Sequence, residues 1–154
     1  MADDPRWMDE ALAEARAALA HDDVPIGAVV VRDGTVIGRG RNRREADQDP
    51  TAHAEMLALR EAAAALGSWR LDGCALYVTL EPCAMCAGAA ILARLPLVVF
   101  GAPEPRTGAV VSVTQLLDEP ALNHHPRWRL GVRRAEAETL VREFFASRRG
   151  SEPL

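Results

Sequence analysis

The sequence predicts an α/β sandwich with at least one pair of parallel strands joined by a crossover. Three observations predict it. Short β-branched runs alternate along the chain with longer segments of helical periodicity. One run, Leu97-Val98-Val99-Phe100, is apolar throughout, as in a strand buried on both faces. A helical stretch separates it from the run CALYVTL at 74–80, which is the arrangement of a parallel strand pair.

Taken in order, Met8, Leu12, Ala15 and Leu19 recur at helical spacing and predict an amphipathic helix over 6–20. Two β-branched runs flank Asp33-Gly34, a strong signal for a tight hairpin. A polar loop with four arginines follows. Asp49-Pro50 predicts a helix start, because Asp can cap free amides and Pro tolerates the first helical position; the helix runs to Gly67. CALYVTL is a strand, and Pro82 opens the helix CAMCAGAAILARL. Beyond the strand at 97–100, residues 111–118 read as a short helix, WRLGV at 128–132 as an edge strand and AEAETLVREFFASRR at 135–149 as a C-terminal helix.

The chain has 154 residues, of which 49% are apolar, 26% charged and 5% aromatic, the balance of one globular domain spanning 1–154. A domain of this size buries roughly 70% of its unfolded surface, so the three cysteines are not needed as disulfide staples. No apolar stretch approaches the roughly 20 residues that cross a bilayer, and the start MADDPRWMDEALAEA is too acidic for a signal or transit peptide. The expectation is a cytoplasmic protein with no membrane partner.

The net charge of -4 argues against a nucleic-acid partner, but its distribution does not. Residues 1–23 carry seven acids and two arginines, and the remainder carries sixteen arginines against fifteen acids. The basic residues are all Arg, clustered in RGRNRR (39–44), RWRLGVRR (127–134) and the tail Arg142, Arg148 and Arg149. Arginine's planar fork suits phosphate and stacks on bases, so the pattern permits RNA contact; taken alone, it is better explained by solvated charged faces.

Two segments carry chemistry, His53-Ala54-Glu55 and Pro82-Cys83-Ala84-Met85-Cys86, each in the first turn of a helix begun by proline. Cys83 and Cys86 are spaced i and i+3, so their sulfurs share a face and can grip one ion, with His53 as third ligand. Thiolates and imidazole in this number suit tetrahedral zinc. Cys74 lies about 20 Å of extended chain from the CxxC turn and reads as a core residue. His21, His124 and His125 read as surface residues. Three protein ligands leave one coordination position for water. Glu55 is the base that such a water requires, or else a first-turn carboxylate favoured by the helix dipole.

His-x-Glu opening one helix and, about thirty residues on, Pro-Cys-x-x-Cys opening another match the general signature of zinc deaminases acting on nucleobases. The wider set VPIGAVVV, GRGRN, DPTAHAEMLALR, LYVTLEPCAMCAGA and the final FF and RR pairs resembles the bacterial tRNA-specific adenosine deaminases of the cytidine-deaminase-like superfamily. This resemblance covers about Trp7 to Arg149. It implies a three-layer α/β/α sandwich around a mixed sheet of about five strands. It also implies one zinc per subunit held by His53, Cys83 and Cys86, with Glu55 as the catalytic proton carrier. The implied reaction converts adenosine to inosine at the wobble position of a tRNA anticodon, releasing ammonia.

By the same resemblance Asn42 contacts the flipped base, Arg106, Phe145, Arg148 and Arg149 are RNA contacts, the partner is a tRNA anticodon stem-loop and the enzyme is a homodimer. Asn beside Arg in a loop is also an ordinary turn residue. One loop departs from the family pattern: Pro103-Glu104-Pro105-Arg106 stands where Arg-Asp-x-Lys is usual, which lengthens the acid and stiffens the loop. Two other readings use the same residues. A deaminase of free cytosine nucleotides or guanine would act without RNA, and a zinc-stabilised binding module would need a fourth protein ligand and leave Glu55 idle.

Overall fold

The structure, a computed structural model, describes residues 2–151, with side chains as far as Arg148. Its centre is a five-stranded mixed sheet in the order β2-β1-β3-β4-β5, with strands β1 Gly27–Arg32, β2 Thr35–Arg41, β3 Cys74–Leu80, β4 Leu97–Ala102 and β5 Arg127–Leu130. β1 runs antiparallel to both β2 and β3, whereas β3, β4 and β5 are parallel. The hairpin closes as expected at Asp33-Gly34, both in the left-handed region, and pairs Arg32 with Thr35.

The helices are α1 Asp4–Ala18, α2 Arg44–Asp47, α3 Ala54–Leu66, α4 Ala84–Leu92 and α5 Arg134–Ser151. Alternation along the strands sorts them into layers. Val30, Leu76, Val78, Val98 and Phe100 face α3 and α4, while Val29, Val31, Tyr77 and Val99 face α1 from the opposite side. α5 joins the α1 side through Ala137, packed with Leu12 and Ala102. The result is the three-layer α/β/α sandwich. No described helix is long and apolar enough to cross a membrane.

Close approach sets where α3 sits. A Cβ on Gly40 would lie 2.1 Å from the Ala54 carbonyl oxygen, and one on Gly38 would lie 2.3 Å from that of Ala58. Glycine at both points of β2 therefore lets the helix backbone rest on the strand, which brings the start of α3 to the sheet end where β3 and β4 finish.

Three expectations need correction. α3 begins at Ala54, not at Pro50, because Asp49 folds its carboxylate onto the Thr51 amide and hydroxyl, each at 2.8 Å, and makes a separate turn. Residues 111–118 are mostly turns, with helical geometry only at Leu116–Asp118, since the amides of Val111 and Ser112 bond to Glu81 rather than within a helix. The polar loop after β2 holds the one-turn helix α2, capped by the Asp23 carboxylate through the amides of Glu45 at 2.8 Å and Ala46 at 3.1 Å.

One buried cluster ties α1 to β3 and β5. Asp4 accepts hydrogen bonds from Tyr77 at 2.7 Å and from Arg129 at 2.9 and 3.0 Å. Burial works to raise its pKa, but the bonds from Arg129 and Tyr77 outweigh it and hold the carboxyl below its ordinary value. A depressed folded pKa gives stability that is complete above the unfolded value of about 4 and lost as pH falls through the folded one. Asp4→Asn should therefore cost about 1–3 kcal/mol at neutral pH. Chemical denaturation from pH 7 down to pH 3 should show the gap between variant and parent closing only below about pH 4; a gap independent of pH would contradict the assignment.

Candidate active site

The end of the sheet where β2, β3 and β4 finish carries a cavity of about 180 Å³. Pockets for drug-sized ligands run to roughly 300–1,000 Å³, so this one suits a single flat ring with the rest of its molecule outside. Asn42, Arg44, His53, Glu55, Cys83 and Glu104 are among its lining residues.

His53 and Cys83 occupy equivalent places. Each is the N-cap of its helix, in extended conformation, and neither side chain bonds to its own helix amides. That backbone geometry swings both side chains off their helices and toward one another. Nδ1 of His53 lies 3.6 Å from Sγ of Cys83 and 3.6 Å from Sγ of Cys86, the latter in the first turn of α4. All three ligand atoms lie within 4.8 Å of one another, and among the described residues they form a group that could hold a metal ion.

The donor set fits zinc. Bonds of about 2.1 Å to nitrogen and 2.3 Å to sulfur at a tetrahedral angle place nitrogen and sulfur about 3.6 Å apart. Both His53–cysteine separations have that value. Cys83 is also primed as a thiolate. A hydrogen bond from the Cys86 thiol, with further help from His53, brings it down to about 3 against the cost of burial. Cys86 is raised in turn, as the partner that keeps the proton.

Glu55, in the first turn of α3, is 4% exposed. Burial pushes its carboxyl up to about 7, against the opposing pull of its own backbone amide and of His53. A carboxyl near neutrality can both take and give a proton. Asn42 is 3% exposed; its Nδ2 donates to the Val24 carbonyl and its Oδ1 accepts from the Arg44 amide, both at 3.3 Å. An amide side chain has two donors and two lone pairs, so one of each remains for a ring edge.

The other sequence candidates spread out from this centre. Phe145 lines the cavity mouth, 42% exposed and edge-on to Phe144. Arg148 lies over the Phe144 ring and pairs with Asp22, bonding its carbonyl oxygen at 2.8 Å and its carboxylate at 2.7 Å. Arg106 sits on the outer turn of the loop whose Glu104 and Thr107 face inward. The side chain of Arg149 lies outside the described residues. Cys74 is a core residue, 2% exposed. His124 and His125 each bond a carbonyl oxygen at 2.7 Å, of Leu95 and Glu119. His21 is more engaged than a surface residue, placed between Asp23 at 2.8 Å and Arg41 at 3.1 Å.

Sequence reasoning passed over Arg44 and Glu81, which also line the cavity. Arg44 was hidden among four arginines of one loop. The signal for Glu81 was available, since an acid set between a strand and a Pro-Cys ligand turn has little access to water.

A family model described as MafB19-like deaminase matches residues 2–149. The chain is 48% identical over 145 residues to a tRNA-specific adenosine deaminase of Bacillus subtilis (strain 168), covering 94% of this chain and 90% of that protein. Among solved structures, a tRNA:A34 deaminase that edits A to I at the wobble position superposes with a TM-score of 0.85 at 46% identity, covering 88% of this chain and 98% of that one. A guanine deaminase from Nitrosomonas europaea superposes with a TM-score of 0.74 at 28% identity, covering 92% and 84%.

The ligand geometry sets an expected outcome. Elemental analysis of the purified protein should find one divalent transition-metal ion per chain. Either His53→Ala or Cys83→Ser should remove most of it and lower the melting temperature, because the ion ties the starts of α3 and α4 together. Full occupancy in both variants would contradict the ligand set.

Proposed function

The chain belongs to the MafB19-like deaminase family, and from that premise we infer that it is a tRNA adenosine deaminase. It converts adenosine to inosine at the wobble position of a tRNA anticodon, consuming water and releasing ammonia. The single observation that carries the reading is Glu55, a buried carboxyl in the wall of the same base-sized cavity as His53, Cys83 and Asn42.

The ion held by His53, Cys83 and Cys86 is, in this reading, zinc, one per chain. Zinc supplies Lewis acidity that lowers the pKa of a water from about 16 toward 7. The chain's own residues do the rest. Glu55 takes a proton from the attacking water and delivers it to N1 of the adenine ring, making C6 electrophilic. The carboxylate then takes the remaining proton from the hydroxyl added at C6 and passes it to the departing amine, so that the C6 carbonyl forms as the C6–N bond breaks, ammonia leaves and Glu55 ends as it began. Asn42 offers the flipped base one donor and one acceptor, and Phe145, Arg106 and Arg148 meet flanking nucleotides around the mouth, with Arg149 as a further RNA contact. The whole chain from 1 to 154 serves as one deaminase domain in the cytoplasm.

A second subunit belongs to the proposal. Along α4 the outward positions Ala84, Gly88 and Leu92 are spaced four apart, with Leu92 71% exposed, whereas Ala87 and Ala90 pack in the core. A Cβ on Gly88 would meet nothing within 4 Å. This open, closely approachable face supports a homodimer formed next to the active site.

Deamination of free guanine is the competing reading, supported by the guanine deaminase neighbour. Incubation with an anticodon stem-loop carrying wobble adenosine should yield inosine, while free adenosine, cytidine and guanine should react poorly. Comparable turnover of any of the three would overturn the RNA reading. Binding of the stem-loop should weaken with salt, log affinity falling by about 0.7 per phosphate neutralised for each tenfold rise. Glu55→Ala should keep its metal and its fold and lose about 100- to 10,000-fold in rate. A near-normal rate would reduce Glu55 to a helix-start carboxylate.

A further inference from the structure

Glu81 is 3% exposed at the end of β3, two residues before the ligand Cys83, and the mechanism does not use it. Its carboxylate is bonded from a single segment of chain. Oε1 accepts from the Glu104 amide at 3.0 Å and from the Ser112 hydroxyl. Oε2 accepts from the amides of Val110, Val111 and Ser112, at 3.0, 2.9 and 3.0 Å. The donors come from the two ends of loop 104–112, so one carboxylate closes the loop on itself.

The same segment is fastened to the ligand turn. Gly108 pairs with Cys83 in an isolated antiparallel bridge, and the Ala109 amide donates to the Pro82 carbonyl at 2.8 Å. A Cβ on Gly108 would lie 2.2 to 2.4 Å from the carboxyl atoms of Glu81, so the loop passes that group at a distance only glycine allows. Glu104, at one anchored end, and Thr107, between the ends, form part of the cavity wall.

We propose that Glu81 is a positioning residue, which holds loop 104–112 in the shape that receives the substrate strand. The proposal rests on the RNA-deaminase reading for what the loop receives, though not for how the loop is held. Only a carboxylate serves at this position, since it offers acceptors at both oxygens and no donor. Gln would turn an N–H group toward backbone amides that themselves donate, and one end of the loop would lose its anchor. Hydrogen bonds to a charged acceptor are strong enough for that loss to move binding by tenfold or more. The ligand turn itself keeps its bridge to Gly108, so chemistry should suffer less than binding.

The test compares the parent with Glu81→Gln and Ser112→Ala, each loaded with metal. It measures metal content, kcat and KM on the anticodon stem-loop, and amide hydrogen exchange across 104–112. Glu81→Gln should keep its metal, raise KM about tenfold or more, lower kcat by less than about threefold and speed exchange at Glu104 and 110–112 about tenfold. Ser112→Ala removes one donor and should move KM and exchange the same way by about threefold; it decides the matter if Glu81→Gln does not fold. Unchanged KM and exchange in a metal-loaded variant would overturn the proposal. So would loss of metal and kcat at unchanged KM, which would assign Glu81 to the ligand turn. If the parent forms no inosine while exchange responds as stated, the RNA reading fails and the role of Glu81 in holding the loop stands.

Discussion

Two helix starts meeting face to face is the constraint on which this site depends. His53 and Cys83 are both N-caps in extended conformation, and neither caps its helix with its side chain. The open amide ends of α3 and α4 therefore point into one small region, with the positive ends of both helix dipoles beside two sulfurs. That field favours the thiolate of Cys83, and thiolate is the form that binds metal. The scaffold makes the meeting possible from two directions. β3 leads directly into the ligand turn before α4 crosses over to parallel β4, while Gly38 and Gly40 let α3 lie against β2. The cavity thus opens beyond the carboxyl ends of β3 and β4, a usual place for sites in sheets with parallel strands.

The charge asymmetry of the sequence resolves into internal pairing. Acids of α1 meet arginines of the basic clusters: Glu10 with Arg39, Glu14 with Arg39 and Arg41, Asp4 with Arg129 and Asp9 with Arg133. Arg39 and Arg41 of RGRNRR and Arg129 and Arg133 of RWRLGVRR are accordingly engaged in ion pairs within the fold. Most of these pairs are partly exposed and each contributes little, but together they seat α1 on the sheet. Arg44 is different, because it lines the cavity beside Asn42.

Periodicity made most of the fold legible. CALYVTL coincides with β3, the Asp33-Gly34 hairpin closes where its turn residues require, and the apolar run at 97–100 lies in the doubly covered β4. The ligand candidates were legible because His-x-Glu and Pro-Cys-x-x-Cys each place rare, chemically specific residues at helix starts. What failed was local competition between backbone and side chains. Asp49 spends its carboxylate on Thr51 and delays α3, and Glu81 takes the amides of Val110, Val111 and Ser112 that a helix there would have used. Both depend on where one carboxylate points, and for Glu81 that partner lies about thirty residues away in sequence, beyond any local pattern.

In the proposed site two helix starts supply three ligands, two sulfurs and one nitrogen, and leave a coordination position open. X-ray absorption spectroscopy at the zinc edge, on protein purified without added metal, reads that arrangement directly. Two sulfur neighbours at about 2.3 Å and two lighter neighbours at about 2.0–2.1 Å are expected, one from His53 and one from solvent. A shell of three or four sulfurs, or a protein that contains no zinc, would contradict it.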